Sequence, residues 1–258
     1  MISSVDAAAR LEVDGFALKP TEVPLDSVEL PSIETLVVDW EGPAAFPDID
    51  VLERLANGRR LRVTTPVRAD GFDPLGDDRW DDRLPDDIGR VLVPGNGAYL
   101  TPGERRRGIA KRLGAALDRH PDAWIGSEGC ERIATATGAT QFELLGPDTD
   151  RAVAALRATG FEADVNVYAP TVATRDEDAV LDALGPYAAR RPAVRERLPA
   201  EAPVGAEATG RTRERLLEGI RQYALVGDPG AINERIRSLR AAGVTRVIAY
   251  PATGLDGQ

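Results

Sequence analysis

A chain of 258 residues with 43% hydrophobic content, one Cys and one His is too long for a peptide-sized module and, as one domain, has the size of an α/β barrel. A lone Cys130 excludes an intramolecular disulfide framework and a cysteine-based zinc site, and a lone His120 excludes a multi-histidine centre, so no metal is expected. The 32 basic against 42 acidic residues leave a net charge of −10, which repels nucleic-acid and anionic-lipid phosphates. The partner expected is therefore a small-molecule substrate, with no nucleic acid and no membrane, and with a homo-oligomer left open.

Only Lys19 and Lys111 among the basic residues are lysines. Scarce lysine beside abundant Asp, Arg, Ala and Val predicts a halophilic protein, whose hydrated carboxylates are screened by a high-salt cytosol. A GC-rich genome would also favour Arg over Lys, but base composition alone does not explain the acidic excess. The apolar runs are short and no basic-then-apolar segment opens the chain, so the expectation is a soluble, cytoplasmic protein without a spanning helix or signal peptide.

In chain order, β-type runs are predicted at 16–19, 35–39, 61–65, 90–93, 124–126, 142–145, 165–168 and 247–250. Most are continuous rather than alternating, as in Leu36-Val37-Val38 and Val91-Leu92-Val93, the pattern of strands covered on both faces and hence of a parallel sheet. Helical periods fall at 49–56, 104–118, 131–137, 150–159, 176–189, 213–224 and 230–242, with Gly160 and Gly243 where helix C-terminal glycines belong. Residues 70–87 are rich in Asp, Gly and Pro, and 190–210 in Pro, Ala and Glu; both read as surface loops. Strand and helix alternate throughout, so residues 1–258 read as a single (β/α)8 TIM barrel, with an open doubly wound sheet as the alternative.

In such a barrel the residues following each strand form the mouth. Lys19, Asp39, Glu41 and Tyr250 are mouth candidates here, beside Thr64, Thr65, Asn96 and the 126–130 turn. Asp39 and Glu41 could act as general acid and base if they converge, the other reading being solvated loop carboxylates. Lys19 could hold an anion or form a Schiff base, or simply sit in a rim ion pair. Trp124 to Cys130 is a strand opening into small residues and then a helix, whose free amides could receive phosphate, although Glu128 and Glu131 bring the wrong charge. His120 reads as a helix C-terminal residue and Cys130 as a small buried one.

Several segments, taken in order, resemble the luciferase-like monooxygenase superfamily, especially its deazaflavin-dependent branch that includes methylenetetrahydromethanopterin reductase. They are Ala123-Trp124-Ile125-Gly126-Ser127-Glu128-Gly129 running on through Gly138-Ala139, Tyr168-Ala169-Pro170-Thr171 followed by Asp176-Glu177-Asp178, and Val226-Gly227-Asp228-Pro229 through Ala242-Gly243-Val244 to Tyr250-Pro251. The resemblance implies a bacterial luciferase-like barrel and a flavin- or deazaflavin-dependent oxidoreductase of unknown substrate. The cofactor would be a deazaflavin coenzyme or FMN, with Gly126, Ser127 and Gly129 at its phosphate and Thr64, Thr65 and Asn96 near its ring. Where many relatives have Asp-His after the second strand this chain has Asp39-Trp40, so that proton-transfer imidazole is missing. Two other readings stand beside this one: a barrel without redox chemistry serving as a binding or assembly partner, and a cofactor-free barrel enzyme using Lys19 or Asp39 and Glu41.

Overall fold

Buried on both faces, a strand gains from apolar side chains at every position, and the continuous runs of the sequence fold accordingly. The computed structural model describes residues 10–68 and 70–254. Its strands are β1 (Gly15–Leu18), β2 (Thr35–Val38), β3 (Arg60–Thr65), β4 (Gly89–Leu92), β5 (Trp124–Gly126), β6 (Gln141–Leu144), β7 (Val165–Val172), β8 (Leu225–Val226) and β9 (Arg246–Pro251). From β1 to β7 each pairs in parallel with its successor; β9 then joins β7 to β1, with Asn166 opposite Arg246 and Gly15 opposite Ile248. That last pairing closes the barrel and eliminates the open-sheet alternative. β8 lies outside the ring, paired only with the far end of β7, where Thr171 faces Leu225.

The helices are α1 (Ile49–Ala56), α2 (Ala110–Arg119), α3 (Glu131–Ala136), α4 (Thr149–Ala158), α5 (Glu177–Ala189), α6 (Pro192–Arg195), α7 (Gly210–Tyr223) and α8 (Pro229–Ala241). Among the described residues, the connections from β1 to β2 and from β3 to β4 carry no α-helix. The helix expected over 104–118 is divided: Glu104–Arg106 is a 3-10 turn and α2 begins only at Ala110, with the helix-disfavouring Gly108 between them.

Period-2 alternation sorts each strand. Ala17, Val37, Val91, Trp124, Tyr168 and Ile248 point inward and form one apolar cluster, while Phe16, Leu18, Leu36, Val38, Leu61 and Val63 pack outward into another. Where the helix after β2 is short and those after β1 and β3 are missing, Trp40, Phe46, Phe72 and Trp80 close the gap, with ring centroids 4.7 to 5.5 Å apart.

Residues 70–87, expected as a surface loop, form neither helix nor strand, but Phe72 and Leu84 are buried. Arg112 holds Asp73 through two hydrogen bonds of 2.8 and 2.9 Å, and Arg90 and Arg119 pair with Asp81 and Asp78. Residues 190–210, also expected as a surface loop, contain α6, bury Val194 and Ala208, and pack so closely on α5 that a Cβ on Gly185 would stand 1.6 Å from the Val204 carbonyl oxygen. The prolines there start a helix and turn corners, as Pro192 does at the first position of α6.

Candidate functional site

A cavity of about 630 Å3 opens at the C-terminal ends of the strands. Six strands contribute through the residues their alternation turns inward: Lys19 beyond β1, Asp39 beyond β2, Thr64 on β3, Gly126 on β5, Phe142 and Leu144 on β6, and Tyr168 on β7. The turn after β4 adds Val93, Gly95, Asn96, Gly97 and Tyr99; the turn after β5 adds Glu128 and Gly129. One wall comes from outside the barrel proper, where Tyr187 on α5 and Arg190 and Arg191 at its end reach over the mouth.

Asp39 is buried, and burial pushes its carboxyl up to about 7, with Lys19 pulling the other way. The Thr64 hydroxyl accepts the Trp40 amide at 2.6 Å and is also bonded to Tyr99, which fixes the floor around Asp39. Burial raises the Tyr99 and Tyr168 phenols, and the charge of Asp39 adds to the effect in both, so these rings remain neutral. Lys19 sits 4.3 Å above the Tyr250 ring and 3.4 Å from Glu22, and Tyr250 stacks on Tyr168 at 5.8 Å while its hydroxyl donates to Glu22. Lys19 is thus both cavity-lining and ion-paired.

Several expected residues lie elsewhere. Thr65 faces the outer side of the sheet beside Val67, Phe72 and Leu92, because its neighbour Thr64 takes the inward position. Ser127 is buried but does not line the cavity. Glu41 does not line it either: its carboxylate accepts both the amide and the hydroxyl of Thr21, at 2.8 and 2.6 Å. Tyr250 stands behind Tyr168 and Lys19 and supports the wall. His120 caps the end of α2 and bonds Asp81 at 2.6 Å, and burial raises the Cys130 thiol to about 11, so neither belongs to the cavity chemistry. Tyr99, Tyr187, Arg190 and Arg191 were not singled out in the sequence, and Val93, Phe142 and Leu144 were read there only as strand residues.

A flavin or deazaflavin needs a slot for a planar ring and donors for a phosphate. Phe142, Leu144 and Tyr168 supply apolar surface, and Gly126 adds no side chain to the cavity, which suits a ring. The phosphate turn does not fit as the relatives' pattern implies. The Ser127 amide donates to the Phe142 carbonyl at 3.2 Å, the Gly129 amide to Glu131 at 3.0 Å and the Cys130 amide to the Ser127 carbonyl at 2.9 Å. Three amides of the turn are therefore already engaged. Among the described residues no cluster of His, Cys, Asp and Glu could hold a metal ion, and no helix is long and apolar enough to cross a membrane.

Residues 8–257 match the model of DUF7388, described as a family of unknown function. No curated protein sequence matches the chain. Among solved structures it is similar to the coenzyme F420 dependent tetrahydromethanopterin reductase from Methanopyrus kandleri, with a TM-score of 0.63 and 17% identity over 95% of this chain and 94% of that one. It is also similar to an F420-dependent secondary alcohol dehydrogenase in complex with an F420-acetone adduct, with a TM-score of 0.56 and 10% identity over 94% of each chain. At such identities the likeness is one of fold. It bears out the (β/α)8 barrel, of the same fold as these two F420-dependent enzymes.

Proposed function

We propose that this chain, which belongs to the DUF7388 family of unknown function, is an oxidoreductase that holds a deazaflavin or flavin ring in the cavity at its strand ends and acts on a small molecule. The observation that carries the reading is a cavity of about 630 Å3, lined by Phe142, Leu144 and Tyr168, at the pole where barrel enzymes keep their sites, in a chain whose fold matches two F420-dependent enzymes along almost its whole length. Fold alone does not make a function, so the lining bears the weight. A deazaflavin prevails over FMN because both neighbours are F420-dependent. The net charge of −10 argues against nucleic acid or membrane as partner.

When bound, such a cofactor accepts or donates hydride. The chain's residues position it and manage protons. Phe142, Leu144 and Tyr168 exclude water from one side, while Thr64 and Tyr99 fix the floor. Asp39, with its carboxyl raised to about 7, can both hold and release a proton near neutrality, the task left by the absent imidazole at Trp40. Lys19 stabilises its anionic form.

The test is a fluorescence titration of purified protein with F420 and with FMN. Saturable binding with a Kd on the order of 10 µM or tighter supports the reading. Absence of binding by either at about ten times that concentration, in protein folded by circular dichroism, overturns it.

A further inference from the structure

Because three amides of the turn after β5, those of Ser127, Gly129 and Cys130, are already engaged, a ligand's anionic group is better served elsewhere in the cavity. The geometry points to Arg191: we propose that its guanidinium is the oxyanion receptor of this site, and that the Glu128 carboxylate occupies the receptor as an internal stand-in which a ligand phosphate displaces. This deepens the cofactor reading and rests on the cavity being the ligand site.

Arg191 is held as a receptor would be. Its guanidinium lies 4.4 Å over the Tyr187 ring and 5.5 Å from that of Tyr223, and Nη2 donates to the Tyr187 hydroxyl. The side chain is only 18% exposed, and Nε is buried with no hydrogen-bond partner among the described residues. A guanidinium stacked and oriented in this way loses little further freedom on binding an anion.

Its bond to Glu128 is a poor one by this protein's own standard. Arg112 grips Asp73 through two bonds of 2.8 and 2.9 Å, and Arg235 grips Asp150 through two of 2.6 Å. Arg191 touches Glu128 through Nη1 alone, at 3.2 Å, while Asn96 holds the other carboxylate oxygen at 2.6 Å. A side chain 41% exposed can turn into water at less cost than the largely covered guanidinium, 18% exposed, can be left without an anion. An incoming phosphate that replaces Glu128 keeps the cation paired and can engage the fork in two-point fashion. Glu128, which the sequence marks as hostile to phosphate, thereby becomes a competitor that sets the affinity.

The experiment titrates inorganic phosphate at constant ionic strength, read by melting temperature, into the wild type, Glu128→Gln and Arg191→Met, each checked for folding by circular dichroism. Expected are a roughly tenfold tighter phosphate response in Glu128→Gln and its loss in Arg191→Met. Arg191→Lys, which keeps the charge and loses the fork, serves if the Met variant fails to fold and should weaken the response several-fold. A second arm compares FMN with riboflavin: the preference for FMN should vanish at Arg191→Met while riboflavin affinity stays unchanged. Equal phosphate responses in folded wild type and Glu128→Gln overturn the proposal, whatever the flavins do. If neither flavin nor F420 binds but phosphate follows the predicted order, the cofactor reading fails and the oxyanion receptor stands.

Discussion

Gly95 and Gly129 lie backbone against backbone, joining the turns that follow β4 and β5. A Cβ on Gly129 would stand 2.8 Å from the Gly95 carbonyl oxygen, and one on Gly95 would stand 2.6 Å from the Glu128 carbonyl oxygen. Gly129 also has φ of 78°, a conformation that side chains disfavour. The expected result is that Gly129→Ala costs about 2–3 kcal/mol in denaturant unfolding, from backbone conformation and clash together. Gly160→Ala, at φ 85° with open space around it, should cost about 1 kcal/mol. Similar losses at the two sites would show that the turns do not depend on this contact.

Asp39 should be a stability liability kept for function. Its folded carboxyl titrates at about 7, above the usual 3.8, so the folded chain binds the proton more tightly than the unfolded one. The stability contribution then worsens as pH rises between those two values and is constant above them. Asp39→Asn is expected to raise stability at pH 8 by on the order of 2 kcal/mol, and to leave it unchanged at pH 3. Equal effects at both pH values would refute the burial argument. Turnover, once a substrate is in hand, should fall in the same variant.

The opposite sign applies at Asp81. Arg90, with a side chain 3% exposed, donates to Asp81 at 2.7 Å and binds the carbonyls of Leu84 and Pro85 at 3.2 and 3.3 Å, so one guanidinium pins the 70–87 segment to β4. Bonds from His120 and Arg90 hold the Asp81 carboxyl below its usual range despite burial. This stability is fully present above the usual carboxylate range and is lost as pH falls through the depressed value. Asp81→Ala strands a buried cation and should cost about 3–5 kcal/mol at pH 7, measured by urea unfolding. A cost below about 1 kcal/mol would mean that the carbonyls alone satisfy Arg90.

Salt should stabilise the fold. An excess of ten negative charges repels over about 10 Å at 0.1 M salt but only about 3 Å at 1 M. Many of the arginine–carboxylate pairs are surface-exposed and contribute little each, so their screening loses less than the relief of repulsion gains. Melting temperature by circular dichroism is expected to rise between 0.1 and 1 M KCl; a flat or falling trend contradicts the halophilic reading.

The barrel was legible because Leu36-Val37-Val38 and its counterparts are apolar at successive positions, a pattern that a two-face-covered strand demands. All eight predicted strands exist, and α1 has its predicted limits. The site was half legible. Lys19, Asp39, Thr64, Asn96, Gly126 and Gly129 come together because a parallel barrel gathers strand ends, but Thr65 and Ser127 had been added to their neighbours against the alternation rule, which allows one of each pair to face inward. Arg191 and Tyr187 carried no local signal. Arg191 meets Glu128 across 63 residues, and its proline-rich neighbourhood reads as punctuation until tertiary packing folds it over the mouth.

Of the chain's two lysines, Lys111 is exposed on α2 and Lys19 projects into the cavity with about a quarter of its side chain accessible. Amine-directed labelling thus becomes a footprint of the mouth. An acylating reagent has a single lysine inside the cavity to modify, a second remote one serves as an internal standard, and protection of the first by any added metabolite would report occupancy of the cavity before a single reaction has been identified.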